Sequence, residues 1–226
     1  MKRLFLIGAS AVCAAATASA QDSLSPYLSF GAGASLGRFD AGGYNSAGGF
    51  ANTGEADDRA AFGSVAIGLR DLAPLGAHAG LRAELELTRF GAHEIETPSF
   101  PGPPRAYSYA STVDTTALMV NLWADFPVAE TRNTVSFGLG LGGARSSLET
   151  EDGRVTGEDT DTDFAYSVGA QLAHRLEGGA EIGASVRYAD FGTVEAALSS
   201  GAGSLSHDRA GVQLGVFLRI PLGPSN

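Results

Sequence analysis

After its first 20 residues the sequence contains no cysteine and no lysine, so the rest of the chain can form no disulfide and all its basic residues are arginines. The formal net charge is −10, and it falls to −12 when Lys2 and Arg3 are left out. This acidic balance argues against nucleic acid as a partner. No apolar run beyond residue 20 approaches the roughly 18 residues of a membrane-spanning helix. These absences exclude a disulfide-stabilised domain and a helical membrane protein.

The first 20 residues have the pattern of a secretory signal peptide. A positive n-region at Lys2 and Arg3 precedes an apolar h-region and the small-x-small cleavage site Ala18-Ser19-Ala20. We therefore predict a cleaved signal peptide over residues 1–20 and a single mature domain over residues 21–226.

The rest of the chain alternates in polarity with the period of two that a β-strand requires. Between residues 81 and 88, apolar residues at the odd positions alternate with Arg82, Glu84, Glu86 and Thr88. Eight segments follow such a pattern: residues 27–38, 61–70, 78–90, 112–126, 134–144, 163–176, 180–191 and 209–220. A closed barrel satisfies every backbone polar group within the hydrocarbon. The predicted fold class is therefore all-β, an eight-stranded antiparallel up-and-down transmembrane β-barrel.

The connections between these segments alternate in length. Three are short turns rich in Pro, Gly and Asn, and four are long: residues 39–59, 91–111, 145–162 and 192–208. Outer-membrane barrels have short periplasmic turns and long extracellular loops. An even number of strands then places both chain ends on the periplasmic side.

Aromatic residues are expected to form girdles at the two membrane interfaces. The predicted periplasmic girdle contains Tyr27, Phe30, Trp123, Phe126, Phe137 and Phe217. The predicted outer girdle contains Phe39, Phe62, Phe90, Tyr107, Tyr109, Phe164, Tyr188 and Phe191. The competing fold is a soluble lipocalin-type barrel, but its leucine-lined cavity would hold no polar group to fix a ligand.

Five stretches carry a family resemblance: LRAELELTRFG at residues 81–91, TTALMVNLWADFP at 115–127, TVSFGLGLGGA at 134–144, FAYSVGAQLAH at 164–174 and ASVRYADFG at 184–192. With them the chain resembles the OmpA-like and opacity-type family of small outer-membrane β-barrels. The resemblance implies eight strands with four mobile loops, used for membrane integrity, adhesion or narrow permeation. It also implies insertion by the barrel-assembly machinery. The terminal aromatic of the family is absent here, because Phe217 is followed by nine further residues.

An eight-stranded barrel has an interior just wide enough to be filled by its own side chains. On the predicted strands the inward-pointing polar residues are Arg82, Glu84, Glu86, Asn121, Asp125, Gln171, Arg175, Glu181, Arg187, Gln213 and Arg219. They form either a salt-bridged polar plug or the charged constriction of a pore. Confinement favours the plug, because buried ions require partners.

One of the long connections is strongly acidic. Its carboxylates are Glu149, Glu151, Asp152, Glu158, Asp159, Asp161 and Asp163. Together they are a weak candidate for a Ca²⁺ or Mg²⁺ site that bridges to lipopolysaccharide phosphates. The alternative is a solvated loop, because Phe164 occupies the position where an EF-hand loop requires glycine.

Enzymatic barrels need convergent polar groups at the extracellular rim. Asp57, Asp58, His207 and Asp208 are the residue types of an omptin-like protease, but the chain is two strands short of that fold. Neither His93 nor His207 stands in a His-x-Ser arrangement that would favour a lipid A deacylase. We assign no catalytic residue and no cofactor.

The sequence therefore predicts an integral protein of the Gram-negative cell outer membrane with a structural and surface-interaction role and no catalysis. A narrow, passive, porin-like channel is the first alternative, and a loop-mediated adhesin is the second. The expected partners are outer-membrane lipids, lipopolysaccharide and, during insertion, the barrel-assembly machinery. Nucleic acid is not an expected partner, and the extracellular ligand stays open.

Overall fold

Ten β-strands dominate the structure, a computed structural model that describes residues 24–45, 50–51, 54–76, 79–98 and 108–223. The predicted signal peptide lies outside these residues. In chain order the strands are β1 (Ser25–Asn45), β2 (Phe50–Ala51), β3 (Gly54–Pro74), β4 (Gly80–Phe90), β5 (His93–Pro98), β6 (Ser108–Pro127), β7 (Asn133–Glu151), β8 (Thr156–Arg175), β9 (Glu181–Leu198) and β10 (Gly203–Pro221). Within the described residues, no helix is long and apolar enough to cross a membrane.

Eight long strands close into a barrel in which all neighbours are antiparallel. The ring closes where β10 pairs with β1, from Tyr27 opposite Pro221 to Asn45 opposite Gly203. β5 continues the line of β4 and pairs with the same neighbour, β6, so these two strands form one wall. β2 is a short return that pairs with the end of β1. The predicted eight-stranded barrel is confirmed.

The half of the barrel nearest the described chain ends exposes an apolar band. Its side chains include Phe30, Val65, Ile67, Leu85, Leu87, Leu118, Val120, Leu122, Phe137, Leu139, Leu141, Phe164, Val168, Leu172, Ile182, Val186, Leu214, Val216 and Leu218. Successive side chains of a strand point to opposite faces, so the intervening polar residues and glycines face the interior. This arrangement matches a wall surrounded by hydrocarbon.

Beyond the band, the strands continue into a region that we call the extension: residues 38–45, 54–60, 89–98, 108–116, 145–151, 156–163, 190–198 and 203–209. Seven of the eight long strands have 18–21 residues, about twice what the hydrocarbon requires. Here the polarity of the faces is reversed. In β9, Val194 and Ala196 are buried inside while Glu195 and Ala197 are exposed outside. Water instead of lipid surrounds this half, so the apolar side chains turn inward.

The prediction of four long loops is wrong, because most of their described residues belong to strands of the extension. The pattern that identified the lipid-facing strands places apolar residues outside. In the extension the period of two continues, but the apolar residues lie on the inner face. A pattern that requires apolar residues outside therefore ends at the top of the band.

The prediction of two aromatic girdles is wrong for about half of its residues. Buried in the interior are Tyr27, Phe39, Phe90, Tyr109, Trp123, Phe191 and Phe217. Exposed on the outer face are Phe30, Phe126, Phe137, Phe164 and Tyr188. Phe62 packs against the buried group, and Tyr107 lies outside the described residues. Inward parity and neighbouring glycines, which leave room for rings, decide which aromatics are inside.

Candidate functional site in the barrel interior

The band encloses a network of ion pairs with Arg82 near its centre. The Arg82 side chain is 0 % exposed and donates two hydrogen bonds to Asp125, at 2.9 Å to Oδ2 and 3.2 Å to Oδ1. It also pairs with Glu84 and donates to the Tyr27 hydroxyl and Gln171 Oε1, each at 3.0 Å. Tyr27 in turn donates to Glu84 at 2.7 Å. These bonds compensate the loss of hydration that burial of a guanidinium entails.

A second centre of the network is Glu181, which accepts hydrogen bonds from three arginines on three strands. Arg70 binds it with two bonds of 2.8 and 2.7 Å, a geometry typical of strong guanidinium–carboxylate pairs. Arg219 donates to Oε2 at 2.6 Å, and Arg175 donates to Oε1 at 3.3 Å. Arg219 also donates to Gln171 at 3.0 Å. Gln171 therefore links this centre to Arg82.

A third group lies around the single tryptophan of the chain. Trp123 Nε1 donates to Glu84 Oε2 at 2.8 Å, and the guanidinium carbons of Arg82 and Arg187 lie 5.4 and 5.6 Å from its ring. Arg187 donates to Glu86 at 2.7 Å, and Asn121 donates to the same oxygen at 2.6 Å. A buried aromatic face between two cations stabilises both.

Ten of the eleven residues expected to point inward make these contacts. Gln213, the eleventh, is buried opposite Arg187 in the neighbouring strand. The network also contains Tyr27, Arg70 and Trp123, which the sequence prediction left out or placed in a girdle. Parity could have found them, because each occupies an inward position of its strand.

Glycines on the inward face make room for the two large rings. A Cβ added at Gly138 would overlap the Trp123 ring, and one added at Gly68 would overlap the Tyr27 ring. Neither glycine has a positive φ, so the requirement here is for space. The small residues therefore position the aromatics that donate to Glu84.

Above the ion network the interior contains three apolar clusters, with buried polar side chains between them. One cluster contains Phe90, Met119 and Phe191 with four alanines, and a second contains Phe39, Ile95, Val113, Leu148, Val194 and Ala196. A third, near the extracellular end, contains Tyr109, Leu198 and Leu205. A void of about 30 Å³ lies beside Glu86, Arg187 and Gln213 of the ion network, and one of about 20 Å³ lies among Phe39, Phe90 and Phe191. A void of this size holds one or two waters.

The periplasmic mouth, in contrast, is a cavity of about 560 Å³. Arg70, Arg175, Glu181 and Arg219 line its floor together with Asp125. The cavity ends at the ion network, so solvent reaches the edge of the network and the exposed part of Arg175.

A polar layer interrupts the apolar clusters inside the extension. His207 is fully buried, and its Nε2 lies 3.3 Å from Ser111 Oγ. Arg209 donates to Thr115 Oγ1 at 3.0 Å and to the Phe191 carbonyl oxygen. Burial lowers the pKa of His207 to about 4, an effect that Asp208 opposes and Arg209 reinforces. His207 is therefore neutral at pH 7.

Acidification is expected to destabilise the protein through His207. Its folded-state pKa of about 4 lies below the ordinary value of 6.5, so the unfolded chain binds more protons as the pH falls between these values. The stability contribution is complete above pH 6.5 and is lost as the pH falls towards 4, by about 3 kcal/mol in total. Urea unfolding at pH 7.5, 6.0 and 4.5 measures this loss.

The control for this prediction separates His207 from the carboxylates that also titrate in acid. His207→Leu is expected to lose less stability between pH 6.5 and 4.5 than the wild type. His174→Leu, which changes an exposed histidine bonded to Asn133, is expected to keep the wild-type slope. Equal slopes for all three proteins would contradict the assignment.

The four candidate residues of an omptin-like protease do not converge. His207 points into the interior, whereas Asp57 and Asp208 are exposed on the outer face. Asp208 accepts a hydrogen bond from Thr193, and Asp58 accepts one from the Glu94 amide at 2.9 Å. Strand parity therefore separates His207 from Asp57 and Asp208, whereas Asp58 has inward parity and lies 3.4 Å from Nδ1 of the buried His93.

The acidic segment is also distributed over several structural roles. Asp152 closes a turn by accepting from the amides of residues 154 and 155. Asp161 accepts a hydrogen bond of 3.2 Å from the Glu195 amide in β9, and Asp163 accepts one of 2.9 Å from the Thr193 amide. Both bonds bridge the part of β8 and β9 where the two strands do not pair directly. Glu149 and Glu158 lie opposite each other on β7 and β8. Among the described residues, no three of these side chains form a group that could hold a metal ion.

The chain matches the family model described as outer membrane protein beta-barrel domain over residues 4–217. OprG from Pseudomonas aeruginosa superposes with a TM-score of 0.53 at 10 % identity, covering 87 % of this chain and 96 % of OprG. Neisserial surface protein A superposes with a TM-score of 0.50 at 13 % identity, covering 86 % and 96 %. The Escherichia coli outer membrane protease OmpT gives 0.46 at 10 % identity, covering 88 % and 97 %. No curated protein sequence matches significantly.

Identities this low establish a shared fold and leave activity open. The family match, in contrast, extends over nearly the whole chain and agrees with the closed ring and its apolar band. The chain belongs to the outer membrane protein beta-barrel domain family and lies in the cell outer membrane.

Proposed function

We propose that the protein is a closed structural barrel that anchors an extracellular interaction surface, without conducting ions and without catalysis. The observation that carries this proposal is the filled interior. The ion network, three apolar clusters and the polar layer around His207 follow one another along the axis, and two voids among them measure about 30 and 20 Å³. A hydrated ion needs a continuous path, and the buried side chains of these layers stand in it.

The absence of catalysis is part of the same proposal. It is supported by the separation of His207 from Asp57 and Asp208. The contact of 3.4 Å between His93 Nδ1 and Asp58 Oδ2 involves a buried histidine that faces the barrel interior. Catalysis requires the participating groups to converge on one reacting atom.

Planar-bilayer recordings test whether the barrel conducts. We expect the refolded protein to produce no steps above the baseline, because buried side chains fill the upper lumen. A porin reconstituted in parallel is the positive control. Regular, ion-selective steps would contradict the closed barrel and would instead support a narrow porin-like channel.

The extension supports the proposed role in surface interactions. Its strands carry the barrel wall beyond the lipid, and buried apolar clusters make it a packed unit. A partner that binds there meets a stable surface with exposed charges such as Glu149, Glu151 and Glu195. We propose adhesion through this surface as the second function, with the partner unspecified.

The proposed partners are the outer-membrane lipids and lipopolysaccharide around the band, and the barrel-assembly machinery during insertion. The apolar outer face supports the lipid partners. The pairing of β10 with β1 along 19 positions supports insertion by the barrel-assembly machinery, with the barrel closing at this seam. The acidic outer surface supports the absence of nucleic acid among the partners.

A further inference from the structure

A row of arginine and threonine side chains crosses four neighbouring strands on the outer face. Arg89 in β4 lies opposite Thr116 in β6, Thr116 lies opposite Arg145 in β7, and Arg145 lies opposite Thr162 in β8. All four point outward at the start of the extension, immediately above the apolar band. Two strand spacings separate the arginine backbones by about 10 Å. We call these residues the arginine–threonine row.

A notch in the apolar surface lies directly beneath the row. The next outward positions are Leu87, Leu118, Gly143 and Phe164, again opposite one another on the same four strands. Leu118 and Phe164 are 52 % and 59 % exposed. A Cβ added at Gly143 would meet only the Asp163 carbonyl oxygen, at 3.6 Å. The notch is therefore an open, apolar gap between Leu118 and Phe164.

The two arginines of the row differ in their present contacts. Arg89 donates to Thr116 Oγ1 at 3.1 Å and to Asp114 Oδ1 at 2.9 Å. Arg145 forms no ion pair with any carboxylate of the described residues, and hydroxyls flank it on both sides in the row. Its guanidinium is consequently available for an anion outside the protein.

The opposite wall of the barrel carries both charges at the same height. The outward residues immediately above the band there include Asp190 in β9, Asp208 in β10, Arg38 in β1 and Arg59 in β3. Arg38 is already paired with Asp40 and Glu55.

We propose that the arginine–threonine row binds a phosphate group of lipid A in the outer leaflet, and that one acyl chain of this lipid occupies the notch at Gly143. Guanidinium groups match phosphate with paired, charge-assisted hydrogen bonds. The hydroxyls of Thr116 and Thr162 add donors between and beside them. The notch accepts the hydrocarbon that must continue below the phosphate. The row lies at the extracellular end, where lipid A is the phosphorylated lipid of this membrane.

This site deepens the proposed function, since it assumes only that the protein resides among outer-leaflet lipids. Titration of the purified protein in detergent micelles with bisphosphorylated lipid A, read by native mass spectrometry, tests it directly. We expect the double variant R89Q/R145Q to bind at least tenfold more weakly, equivalent to about 1.4 kcal/mol. The single variants R89Q and R145Q should each bind more weakly than Arg132→Gln, the matched control that also removes one charge, here from an exposed arginine at a periplasmic turn.

A second variant tests the notch without changing any charge. Gly143→Leu should fill the gap between Leu118 and Phe164 and weaken lipid A binding, and the heat-dependent gel mobility of the folded barrel checks that it still folds. Dephosphorylated lipid A should bind the wild type weakly, and phosphatidylglycerol should bind with little sensitivity to R89Q/R145Q.

Two outcomes would overturn the site. The first is equal lipid A binding by R89Q/R145Q and the control. The second is phosphatidylglycerol binding that equals lipid A binding and falls to the same degree in the variant. Bilayer recordings on the same samples report on the closed lumen separately, so a failure of the lipid site and a conducting barrel are distinguishable.

Discussion

Arg82→Met is expected to lower the free energy of unfolding by about 3–5 kcal/mol, because it removes one partner from a buried set of ions. Glu84 and Asp125 would lose their closest cation, and Glu84 would retain Tyr27, Trp123 and a longer contact of 3.7 Å with Arg219. Methionine fills similar space, so the loss arises from uncompensated charge more than from a cavity.

Urea unfolding in lipid vesicles measures this loss, and the fluorescence of Trp123 reports it from within the network. The double variant R82M/E84Q is expected to recover part of the stability, since it removes one orphaned charge. Arg132→Met is the control at an exposed arginine and should change the stability by less than about 1 kcal/mol. A similarly small effect of Arg82→Met would show that the network is hydrated and contributes little.

Gly142→Ala is the second large expected effect, with a loss of about 1–3 kcal/mol from overpacking. Gly142 faces the interior, and an added Cβ would lie 2.9 Å from Met119 Cα and closer still to the Leu118 carbonyl oxygen. Both atoms belong to the backbone of β6. Because no change of side-chain rotamer relieves a clash with backbone atoms, the barrel wall would have to shift.

The adjacent glycine supplies the control for this variant. Gly143 has its open side towards the lipid, so Gly143→Ala should leave the stability unchanged or raise it, because alanine restricts the unfolded chain more than glycine does. Urea unfolding of the two single variants, under the same conditions, gives the comparison. Equal losses would mean that strand propensity, and not the close approach of β6, determines both.

The lipid-facing strands could be predicted because hydrocarbon imposes a strict rule on them. Any outward polar side chain in the band is costly, so residues such as Leu85 and Leu87 repeat at every second position. The outer face of the extension is less restricted, because water surrounds it. Water accepts both Glu195 and Ala197 on the outer face, and only the inward positions there remain apolar.

The interior could be predicted as a set of residues but not as a set of pairs. Parity places Glu181 inside, yet nothing local indicates that Arg70, Arg175 and Arg219 share it. That arrangement depends on strand tilt and on the stagger of the closed ring. The arginine–threonine row was missed for the same reason, since its four members become neighbours only through the pairing of β4, β6, β7 and β8.

The ion network also constrains how the chain enters the membrane. Arg70 and Glu181 are 111 positions apart, and Glu86 and Arg187 are 101 apart, so these two pairs form only after distant parts of the chain have come together. Until then Arg70, Glu86 and Arg187 would face hydrocarbon without these partners, at a cost of several kcal/mol each. Insertion strand by strand is thereby penalised. The strands must therefore associate almost completely before the barrel wall crosses the lipid, and the step that closes the ring also neutralises these charges.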